Sequence, residues 1–540
     1  MKFPNIYTLF REQTAKYKDR PVFYARANDR WESQTWTDFE NKVHEAACAF
    51  LAKGLTKGAS VAILAGNIPE WSIIDIAAIA AGGVGVGIYP TSSREQCEFI
   101  IRHSDAEFVV VDTVAQLAKL SAGEFKNVKQ IVCIEDGTFG DFLDEGREHL
   151  EQYLPQVEQI GFNADPQDIA IMVYTSGTTG EPKGAMLSHR YILNSVESLR
   201  ESVPIFDSDI AFSYLPGCHV AERISGIYNR LYNGSAAYFV DDLSRLYEYM
   251  LEVKPTVFAS LPRFFEKIHA SIMARHGTER IDAQIVKDAF GGNIRLLTSG
   301  GAPLPAEIAQ FFADAGVPIL QAYGLTENIC VAFNRADDLK FGTVGKPMPM
   351  CEVKIADDGE ILVKSPMMFS GYYKDPEKTA EMFTDNGWLK TGDLGELDEE
   401  GFLKITGRKK EIIVLSSGKN VAPALIENIV KESHLISHCF VHGDGRSYCV
   451  ALVTLNQNES GSNGSYTEFA RSPEMRDAVE KIIERSNARV SSSEQIKRFA
   501  ILDRDFSPEF DEVTPTMKLK RDVVAKNFRE EIDELYGNAR

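Results

Sequence analysis

One eleven-residue segment combines the residue types that hold phosphate groups. Residues 174–184 read Tyr-Thr-Ser-Gly-Thr-Thr-Gly-Glu-Pro-Lys-Gly. The glycines let backbone N–H groups approach phosphate oxygens, the hydroxyls add hydrogen-bond donors, and Lys183 supplies a compact positive charge. The segment predicts a triphosphate-binding loop, although a cluster of Ser, Thr and Gly is by itself also typical of an ordinary surface turn.

The residues before this segment predict a buried strand that ends at the loop. Residues 169–173 read Ile-Ala-Ile-Met-Val, an apolar run of strand length. Open α/β sheets bind ligands at the carboxyl ends of their strands, so position agrees with composition. The spacing GxxxxGK[ST] is absent, so a P-loop nucleoside triphosphatase is not indicated.

The elements that would position this loop follow an alternating pattern. Strand-like apolar runs at residues 60–64, 108–111, 130–134, 169–173, 256–259 and 294–298 alternate with helical patterns. Such alternation predicts an α/β fold with parallel sheets. From about residue 340 the pattern changes to short strands separated by acidic and glycine turns, which predicts a β-rich subdomain.

A second domain is predicted after Arg408. Residues 424–433 and 474–487 have helical patterns, and residues 439–455 are strand-rich. We therefore expect a large N-terminal domain, residues 1–408, and a small α+β C-terminal domain, residues 409–540.

Composition excludes several classes of protein. The 540 residues include 44% hydrophobic ones, enough for large cores, and the net charge of −20 disfavours a nucleic-acid-binding surface. Eight cysteines occur without CxxC spacing, so neither a zinc cluster nor a disulfide framework is predicted. The first residues lack the apolar core of a secretory signal, and we expect a cytoplasmic protein.

Other catalytic motifs are missing from the sequence. The glycine-rich residues 82–87 do not have the GxGxxG spacing of a dinucleotide site, and we attribute these glycines to tight packing. Neither the GxSxG motif of esterases nor the HExxH motif of metalloproteases occurs.

Six further motifs follow the glycine-rich segment in a fixed order. They are Leu-Pro-Gly-Cys-His-Val-Ala-Glu-Arg at 215–223, Ser-Gly-Gly-Ala-Pro at 299–303, Tyr-Gly-Leu-Thr-Glu at 323–327, Lys-Thr-Gly-Asp at 390–393, Gly-Phe-Leu-Lys-Ile-Thr-Gly-Arg-Lys-Lys at 401–410 and Thr-Pro-Thr-Met-Lys-Leu-Lys-Arg at 514–521. With residues 174–184 they resemble the motifs of the adenylate-forming (AMP-binding) family, which includes acyl-CoA synthetases, luciferases and peptide-synthetase adenylation domains.

The resemblance implies an ATP site and assigns its residues. The phosphates would be held by Thr175, Ser176, Gly177, Thr178, Thr179 and Lys183, and the nucleoside by Gly300, Gly301, Ala302, Tyr323, Gly324, Asp393 and Arg408. Tyr323 would stack on adenine, and Asp393 would accept hydrogen bonds from the ribose hydroxyls. Thr326 would donate to the α-phosphate, and Glu327 would bind Mg²⁺, which proteins hold through one or two carboxylates plus substrate phosphates.

The resemblance also assigns residues to a mobile C-terminal domain. Lys518 matches the lysine that stabilises charge on the α-phosphate, with Lys520 as a rival because Thr516-Met517 replaces the usual Ser-Gly. Lys410 matches the hinge, and Gly418 matches the loop that approaches the pantetheine arm of coenzyme A.

Three segments resemble long-chain fatty acyl-CoA synthetases in particular. They are the lysine motif, Leu-Pro-Arg-Phe-Phe-Glu-Lys-Ile at 261–268, and the ending His-Val-Ala-Glu-Arg at 219–223. His219 would contact the substrate carboxylate or line the acyl pocket. Phe264 or Phe265 is either a gate to that pocket or simple core, and adjacent aromatic residues are more often core.

The implied reaction has two steps. A long-chain fatty acid and ATP give acyl-adenylate and pyrophosphate, and coenzyme A then gives the thioester and AMP. The sequence leaves open a fatty-acyl-AMP ligase that loads a carrier protein, a ligase for medium-chain or aryl acids, and a non-catalytic nucleotide-binding scaffold. It also leaves open the oligomeric state and peripheral contact with the inner face of a membrane.

Overall fold

The structure is a computed structural model. It describes residues 2–121, 123–175, 182–277, 281–433, 435–456, 465–514 and 519–537. Lys518 and residues 176–179 of the predicted phosphate loop lie outside these ranges.

The strands and helices alternate through most of the described chain. The strands are β1 Pro21–Ala27, β2 Arg30–Thr35, β3 Ser60–Leu64, β4 Val84–Ile88, β5 Ala106–Val111, β6 Gln130–Cys133, β7 Ile169–Thr175, β8 Lys183–Ser188, β9 Ile210–Ser213, β10 Ala236–Phe239, β11 Val257–Ser260, β12 Leu296–Ser299, β13 Ile319–Leu325, β14 Asn328–Phe333, β15 Lys346–Pro347, β16 Glu352–Ile355, β17 Glu360–Lys364, β18 Leu389–Leu397, β19 Leu403–Arg408, β20 Ile413–Val414, β21 Asn420–Val421, β22 Ile436–His442, β23 Cys449–Leu455 and β24 Ile496–Ile501. The α-helices are α1 Ile6–Tyr17, α2 Trp36–Ala52, α3 Pro69–Ala80, α4 Arg94–His103, α5 Val114–Leu120, α6 Thr138–Glu148, α7 Leu150–Phe162, α8 His189–Ser202, α9 Asn229–Asn233, α10 Leu246–Val253, α11 Pro262–His276, α12 Ala283–Ala289, α13 Ala306–Asp314, α14 Pro376–Glu381, α15 Pro423–Val430, α16 Tyr466–Ala470, α17 Pro473–Asn487, α18 Arg521–Asn527 and α19 Arg529–Leu535.

A six-stranded sheet contains the predicted phosphate-binding strand. Its order is β6-β5-β3-β4-β7-β8, parallel throughout except for the β7–β8 hairpin. The strands β3 and β4 are buried along their whole length, as expected for parallel strands with helices on both faces. The predicted α/β class with parallel sheets is confirmed.

A nine-stranded sheet forms the second layer, in the order β15-β14-β13-β12-β11-β9-β10-β1-β2. Its central strands, from β13 to β1, are parallel. Its two ends are antiparallel hairpins, β13–β14 with β15 on one side and β1–β2 on the other. The carboxyl end of β13 is therefore joined directly to β14 by a tight turn, which contains two of the predicted site residues.

Helix α3 shows how the interior between these sheets is built. Proline starts the helix at a position where its missing N–H costs nothing, and the following residues are apolar on every face. Nearly all of the helix is buried, including Asp75, which is 0% exposed. A carboxylate in such a place requires a charged partner.

The β-rich subdomain and the C-terminal domain follow in the chain. Strands β16 to β19 form an antiparallel four-stranded sheet, and the C-terminal domain contains the hairpin β20–β21 and the three-stranded sheet β22-β23-β24. The short strands predicted for the β-rich subdomain are present, and so are the helices and strands predicted for the C-terminal domain. Among the described helices, none is long and apolar enough to cross a membrane.

Candidate active site

Three sheets meet where the sequence motifs converge. The β7–β8 hairpin comes from the six-stranded sheet, the β13–β14 hairpin from the nine-stranded sheet, and β18–β19 from the β-rich sheet. Residues 369–373 join the first two. Met186 N–H donates to Gly371 C=O and Tyr373 N–H donates to Gly184 C=O, at 2.9 and 2.8 Å, and Phe369 N–H donates to the Glu327 C=O at 2.8 Å.

The predicted phosphate end begins on β7 and β8. Thr175 is the last residue of β7 and is paired with Lys183, the first residue of β8. The Lys183 ammonium lies 5.3 Å from the ring centroid of Tyr372, within the range of a cation–π contact. Both ends of the predicted loop are thus fixed by strand pairing, while Ser176, Gly177, Thr178 and Thr179 lie outside the described residues.

Thr326 and Glu327 form the two-residue turn between β13 and β14, since Leu325 is paired with Asn328. Tyr191 of α8 fixes this turn through two hydrogen bonds. Its hydroxyl donates to the Thr326 carbonyl and accepts from the Ile329 N–H, each at 3.0 Å. The turn therefore presents both predicted phosphate-site residues at a position fixed by a buried tyrosine.

The Glu327 side chain is nearly buried, at 9% exposure. Tyr372 donates a hydrogen bond to its Oε1. Within the described part of the chain, Oε2 accepts no hydrogen bond, so one carboxylate oxygen remains available for a hard cation such as Mg²⁺. The residues thus fit a single-carboxylate magnesium site. No group of three or more potential metal-ligating side chains occurs among the described residues.

The predicted nucleoside end is a connected set of side chains. Tyr323 donates from its hydroxyl to Asp393 Oδ2 at 2.5 Å, and Arg408 Nε lies 3.0 Å from Asp393 Oδ1. Asp393 and Arg408 are cross-strand partners on β18 and β19. Burial and the Asp393 charge raise the pKa of Tyr323 well above its ordinary value, so its hydroxyl stays a donor.

The glycines near the nucleoside end are required for different structural reasons. Gly300, Gly301 and Ala302 follow β12, and Gly301 has φ +77°, which favours glycine. Gly324 lies within β13 where an added Cβ would come 1.9 Å from the Ile329 carbonyl oxygen. Gly324 is therefore required by the irregular β13–β14 pairing itself, whatever it also does for a ligand.

The predicted acyl side is tightly packed around Cys218. An added Cβ on Gly87 would lie 2.6 Å from Cys218 Cα, and one on Gly217 would lie 2.8 Å from the Trp71 ring. This confirms tight packing as a reason for glycine within residues 82–87. Burial raises the pKa of the Cys218 thiol far above its usual range, which disfavours the reactive thiolate.

His219 lies next to this packed region and is half-buried. Its Nδ1 lies 3.2 Å from the Ala221 N–H, at the start of a π-helix, Ala221–Tyr228. Phe264 and Phe265, the two candidates for a gate to the acyl pocket, lie in different environments. Phe265 is 0% exposed and packs in a core with Phe258 and other rings, so it is core, whereas Phe264 is half-buried beside Phe258.

Sequence reasoning missed a buried ionic cluster on the π-helix. Arg223, from the predicted acyl-side motif, pairs with Asp75 of α3, and both side chains are 0% exposed. Tyr228 also donates to Asp75, at 2.7 Å. The only signal in the sequence was an aspartate inside an apolar helix. The cluster anchors the acyl-side segment to helix α3.

Sequence reasoning also missed Tyr372 and Tyr191, whose hydroxyls bind the Thr326–Glu327 turn. Tyr372 stands 45 residues after Glu327, and Tyr191 135 residues before Thr326, so spacing alone gave no sign of contact. The glycine before Tyr372 was a usable signal. Gly371 has φ +122°, a conformation that marks a constrained turn.

The C-terminal candidates lie on separate elements. Gly418 has φ +78° in an exposed turn between β20 and β21, and Lys410 is exposed in a 3₁₀ turn directly after β19. Lys520 forms an ion pair with Asp511, and its N–H donates to the Glu512 carbonyl at 2.8 Å. Lys518 lies outside the described residues, between Thr514 and Leu519.

Comparison with known proteins identifies the family. A family model described as AMP-binding enzyme matches residues 10–373, and one described as AMP-binding enzyme C-terminal domain matches residues 410–540. The long-chain-fatty-acid–CoA ligase FadD15 of Mycobacterium bovis is 34% identical, over 96% of this chain and 94% of that protein. The peroxisomal long chain acyl-CoA synthetase 6 of Arabidopsis thaliana is 30% identical, over 89% of this chain and 78% of that protein.

A solved structure shares the fold. ATP-bound MatB from Rhodopseudomonas palustris superposes with a TM-score of 0.79, covers 98% of this chain and 99% of its own, and is 22% identical. An identity of 22% shows only that the fold is shared. The family is shown by the two family models, which match most of the chain. The chain therefore belongs to the AMP-binding enzyme family.

Proposed function

We propose that this enzyme activates a long-chain fatty acid with ATP and transfers the acyl group to coenzyme A. The observation that carries the proposal is the unbroken set of contacts from Lys183 through Tyr372 and Glu327 to the β13–β14 hairpin, and from Tyr323 to Asp393 and Arg408. A nucleotide would meet a cation and a carboxylate at its phosphate end and a carboxylate at its ribose end. The names of the relatives support the substrate class.

In the first step, a carboxylate oxygen of the fatty acid attacks the α-phosphorus and the bond to the β-phosphate oxygen breaks. Acyl-adenylate forms and pyrophosphate leaves. Lys183 and Thr175 would hold the phosphates with the loop between them, and Thr326 would donate to the α-phosphate. Mg²⁺ bound at Glu327 would neutralise phosphate charge.

The nucleoside would be held by the other half of the site. The Tyr323 ring would stack on adenine, beside the Gly300 to Ala302 turn. Asp393 would accept from the ribose hydroxyls, and Arg408, 3.0 Å from its Oδ1, would hold that carboxylate in place. Burial opposes the charge of Arg408, but Asp393, Glu411 and other acidic groups together raise its pKa.

In the second step, the thiol of coenzyme A attacks the acyl carbonyl and AMP leaves. We propose that the C-terminal domain, residues 409–540, turns about Lys410 between the steps, so that Lys518 serves the first step and the turn at Gly418 serves the second. His219 would line the acyl side. Peripheral contact with a membrane that supplies the fatty acid belongs to the same proposal.

The first experiment is mass spectrometry of products from the purified enzyme with Mg-ATP, coenzyme A and a mixture of saturated acids from acetate to arachidate. We expect AMP, pyrophosphate and the CoA esters of laurate to stearate. Acyl-adenylate without thioester would indicate a carrier-protein acceptor, and preference for short or aryl acids would replace the substrate class. Absence of ATP cleavage with every acid would contradict the proposal.

A pair of variants tests the catalytic lysine. Lys518→Ala should lower the rate of acid-dependent ATP–pyrophosphate exchange about 100-fold or more. Loss of one contact that stabilises transition-state charge typically has an effect of this size. Lys520→Ala is the matched control, since Lys520 is already engaged by Asp511, and should retain exchange within about threefold. The reverse outcome would assign the role to Lys520.

A further inference from the structure

We propose that Tyr372 is a positioning residue for the phosphate end of the site: its hydroxyl fixes the Glu327 carboxylate and its ring carries the Lys183 ammonium. The inference rests on the proposed function and adds a residue to it. Tyr372 would set the geometry of a metal ligand and of a phosphate-binding cation at the same time.

The hydroxyl contact is buried on both sides. Tyr372 is 7% exposed and Glu327 is 9% exposed, and the hydrogen bond between them is charge-assisted. It occupies Oε1 only. The carboxylate is thus held in one rotamer with Oε2 available, the arrangement that a single-carboxylate ligand requires.

The ring contact reaches the other hairpin. Lys183 stands at the start of β8, where pairing with Thr175 fixes its backbone. Its ammonium lies 5.3 Å from the Tyr372 ring centroid. A cation–π contact limits the rotamers of a long flexible side chain, so the ammonium is kept near the phosphate end before a nucleotide binds.

Tyr372 is itself held rigidly. Its backbone bridges to Ala185 on β8, and its N–H donates to Thr379 Oγ1 at 2.8 Å. Phe369 packs edge-on against the ring, with centroids 4.9 Å apart, and the Phe369 N–H donates to the Glu327 carbonyl at 2.8 Å. The same short segment thus binds both the main chain and the side chain of Glu327.

The hydrogen bond defines the role of the hydroxyl. Tyr372 donates its proton to Glu327 Oε1 and so holds the carboxylate from the protein side. This contact makes Tyr372 a positioning residue and not a catalytic residue.

Two substitutions separate the two contacts. Tyr372→Phe removes the hydroxyl and keeps the ring, and Tyr372→Leu removes both. Tyr373→Phe is the matched control, because the neighbouring hydroxyl donates to Asp105 at 2.8 Å instead of to Glu327. Thermal unfolding of each variant verifies that it is folded.

The test is the affinity for ATP, measured by isothermal titration calorimetry with Mg²⁺ and again with EDTA. With Mg²⁺, Tyr372→Phe should bind ATP about tenfold more weakly than wild type, because the metal ligand is no longer fixed. With EDTA the two should bind equally. Tyr372→Leu should be weaker in both conditions, because the Lys183 contact does not depend on the metal, and Tyr373→Phe should match wild type.

Activity adds a second measurement. Tyr372→Phe should raise the KM for Mg-ATP more than it lowers kcat, and added Mg²⁺ should partly restore it. Equal ATP affinity of Tyr372→Phe and wild type with Mg²⁺, or equal weakening with and without Mg²⁺, would overturn the inference. If wild type binds Mg-ATP but forms no acyl-CoA, only the proposed function fails. If wild type does not bind Mg-ATP, both fail.

Discussion

Tyr323 contributes two chemically separate groups to the proposed nucleoside site. Its ring would stack on adenine, and its hydroxyl donates to Asp393 at 2.5 Å. Tyr323→Phe keeps the ring and removes the donor. A hydrogen bond to a charged group is worth about 1.5 to 3 kcal/mol, so the KM for ATP should rise about tenfold or more, with little change in kcat.

The control for this substitution is a Tyr–Asp hydrogen bond outside the proposed site. Tyr249 lies in the same hydrophobic core as Phe258 and Phe265, and its hydroxyl donates to the exposed Asp241 at 2.9 Å. Tyr249→Phe should leave the KM for ATP unchanged. Steady-state kinetics of both variants would contradict the assignment if the two substitutions changed the KM equally.

At the same scale, the sequence predicted residue types better than contacts. The resemblance assigned Tyr323, Asp393 and Arg408 to one nucleoside site. The structure brings the three side chains into contact, and their binding of a nucleotide stays a prediction. The motifs did not reveal that the tyrosine hydroxyl holds the carboxylate. Asp75 and Arg223 are 148 residues apart, and a contact at that separation depends on how α3 packs against the π-helix.

At the scale of elements, the buried Asp75–Arg223 pair explains a glycine of β4. A Cβ on Gly85 would lie 2.0 Å from Asp75 Oδ1 and 2.5 Å from Arg223 Nη2. Both side chains are completely buried and hold each other, so neither can move without breaking the pair. Gly85→Ala should destabilise the protein by about 3 kcal/mol or more, or prevent soluble expression.

The matched control is Gly140→Ala. Gly140 lies inside helix α6, and an added Cβ there has nothing within 4 Å. This change should be neutral or stabilising by up to about 1 kcal/mol, because alanine is the better helix former. Thermal unfolding of the two variants tests the argument, and a Gly85→Ala variant as stable as wild type would refute it.

A polar cluster fixes the segment that follows β24 to the C-terminal sheet. Asp505 accepts from Ser437 at 2.5 Å and from Thr454 at 2.6 Å, and its Oδ1 lies 2.8 Å from His438 Nδ1. Burial alone would raise the pKa of Asp505, but these partners outweigh it and lower the pKa to about 2 from an ordinary 3.8.

The lowered pKa predicts how stability depends on pH. A carboxyl whose pKa is lower in the folded state stabilises the fold above its ordinary pKa, and the contribution is lost as the pH falls toward the folded value. Asp505 is 39% exposed, which screens the interaction. Asp505→Asn should therefore cost about 1 kcal/mol at pH 7, and the difference from wild type should shrink between pH 4 and pH 2.

Urea unfolding from pH 7 to pH 2 measures this difference. Asp503→Asn is the control, since Asp503 forms an exposed ion pair with Arg471 and should cost less than about 0.5 kcal/mol. A difference for Asp505→Asn that stays constant or grows as the pH falls would show that its charge is not the cause.

Strand positions were predictable where the apolar pattern was strong. The run at residues 60–64 coincides with β3, and those at 130–134 and 169–173 differ from β6 and β7 by only one or two residues. Strand β8 was not predicted, because Lys183 to Ser188 is short and follows a loop-like segment. The β13–β14 turn was also not predicted, since Thr326-Glu327 lacks the Asn-Gly or Asp-Gly signal of tight hairpins.

At the scale of the whole molecule, helix α11 joins the two domains. The same motif that resembled fatty acyl-CoA synthetases provides the contact: Arg263 donates to Asn456 Oδ1 of the C-terminal domain at 2.6 Å. Glu266, one turn later, faces Lys431 of that domain. Burial raises the pKa of Glu266, while Lys431 and then Arg263 oppose the rise. The motif's charges thus lie at the domain interface, and its Phe265 lies in the core.

This interface predicts an effect on the balance between the two steps. If the C-terminal domain turns between adenylation and thioester formation, the Arg263–Asn456 contact stabilises only one of the two orientations. An exposed contact is worth about 0 to 1 kcal/mol, so Arg263→Ala should change the populations by up to roughly fivefold. The ratio of ATP–pyrophosphate exchange to acyl-CoA formation should change by about two- to fivefold, while the melting temperature stays within about 1 °C.

Arg275→Ala is the control. Arg275 is exposed in the last turn of the same helix, and its replacement should change neither the ratio nor the melting temperature. An unchanged ratio in Arg263→Ala would mean that this contact does not distinguish the orientations, and that the motif's arginine has another role.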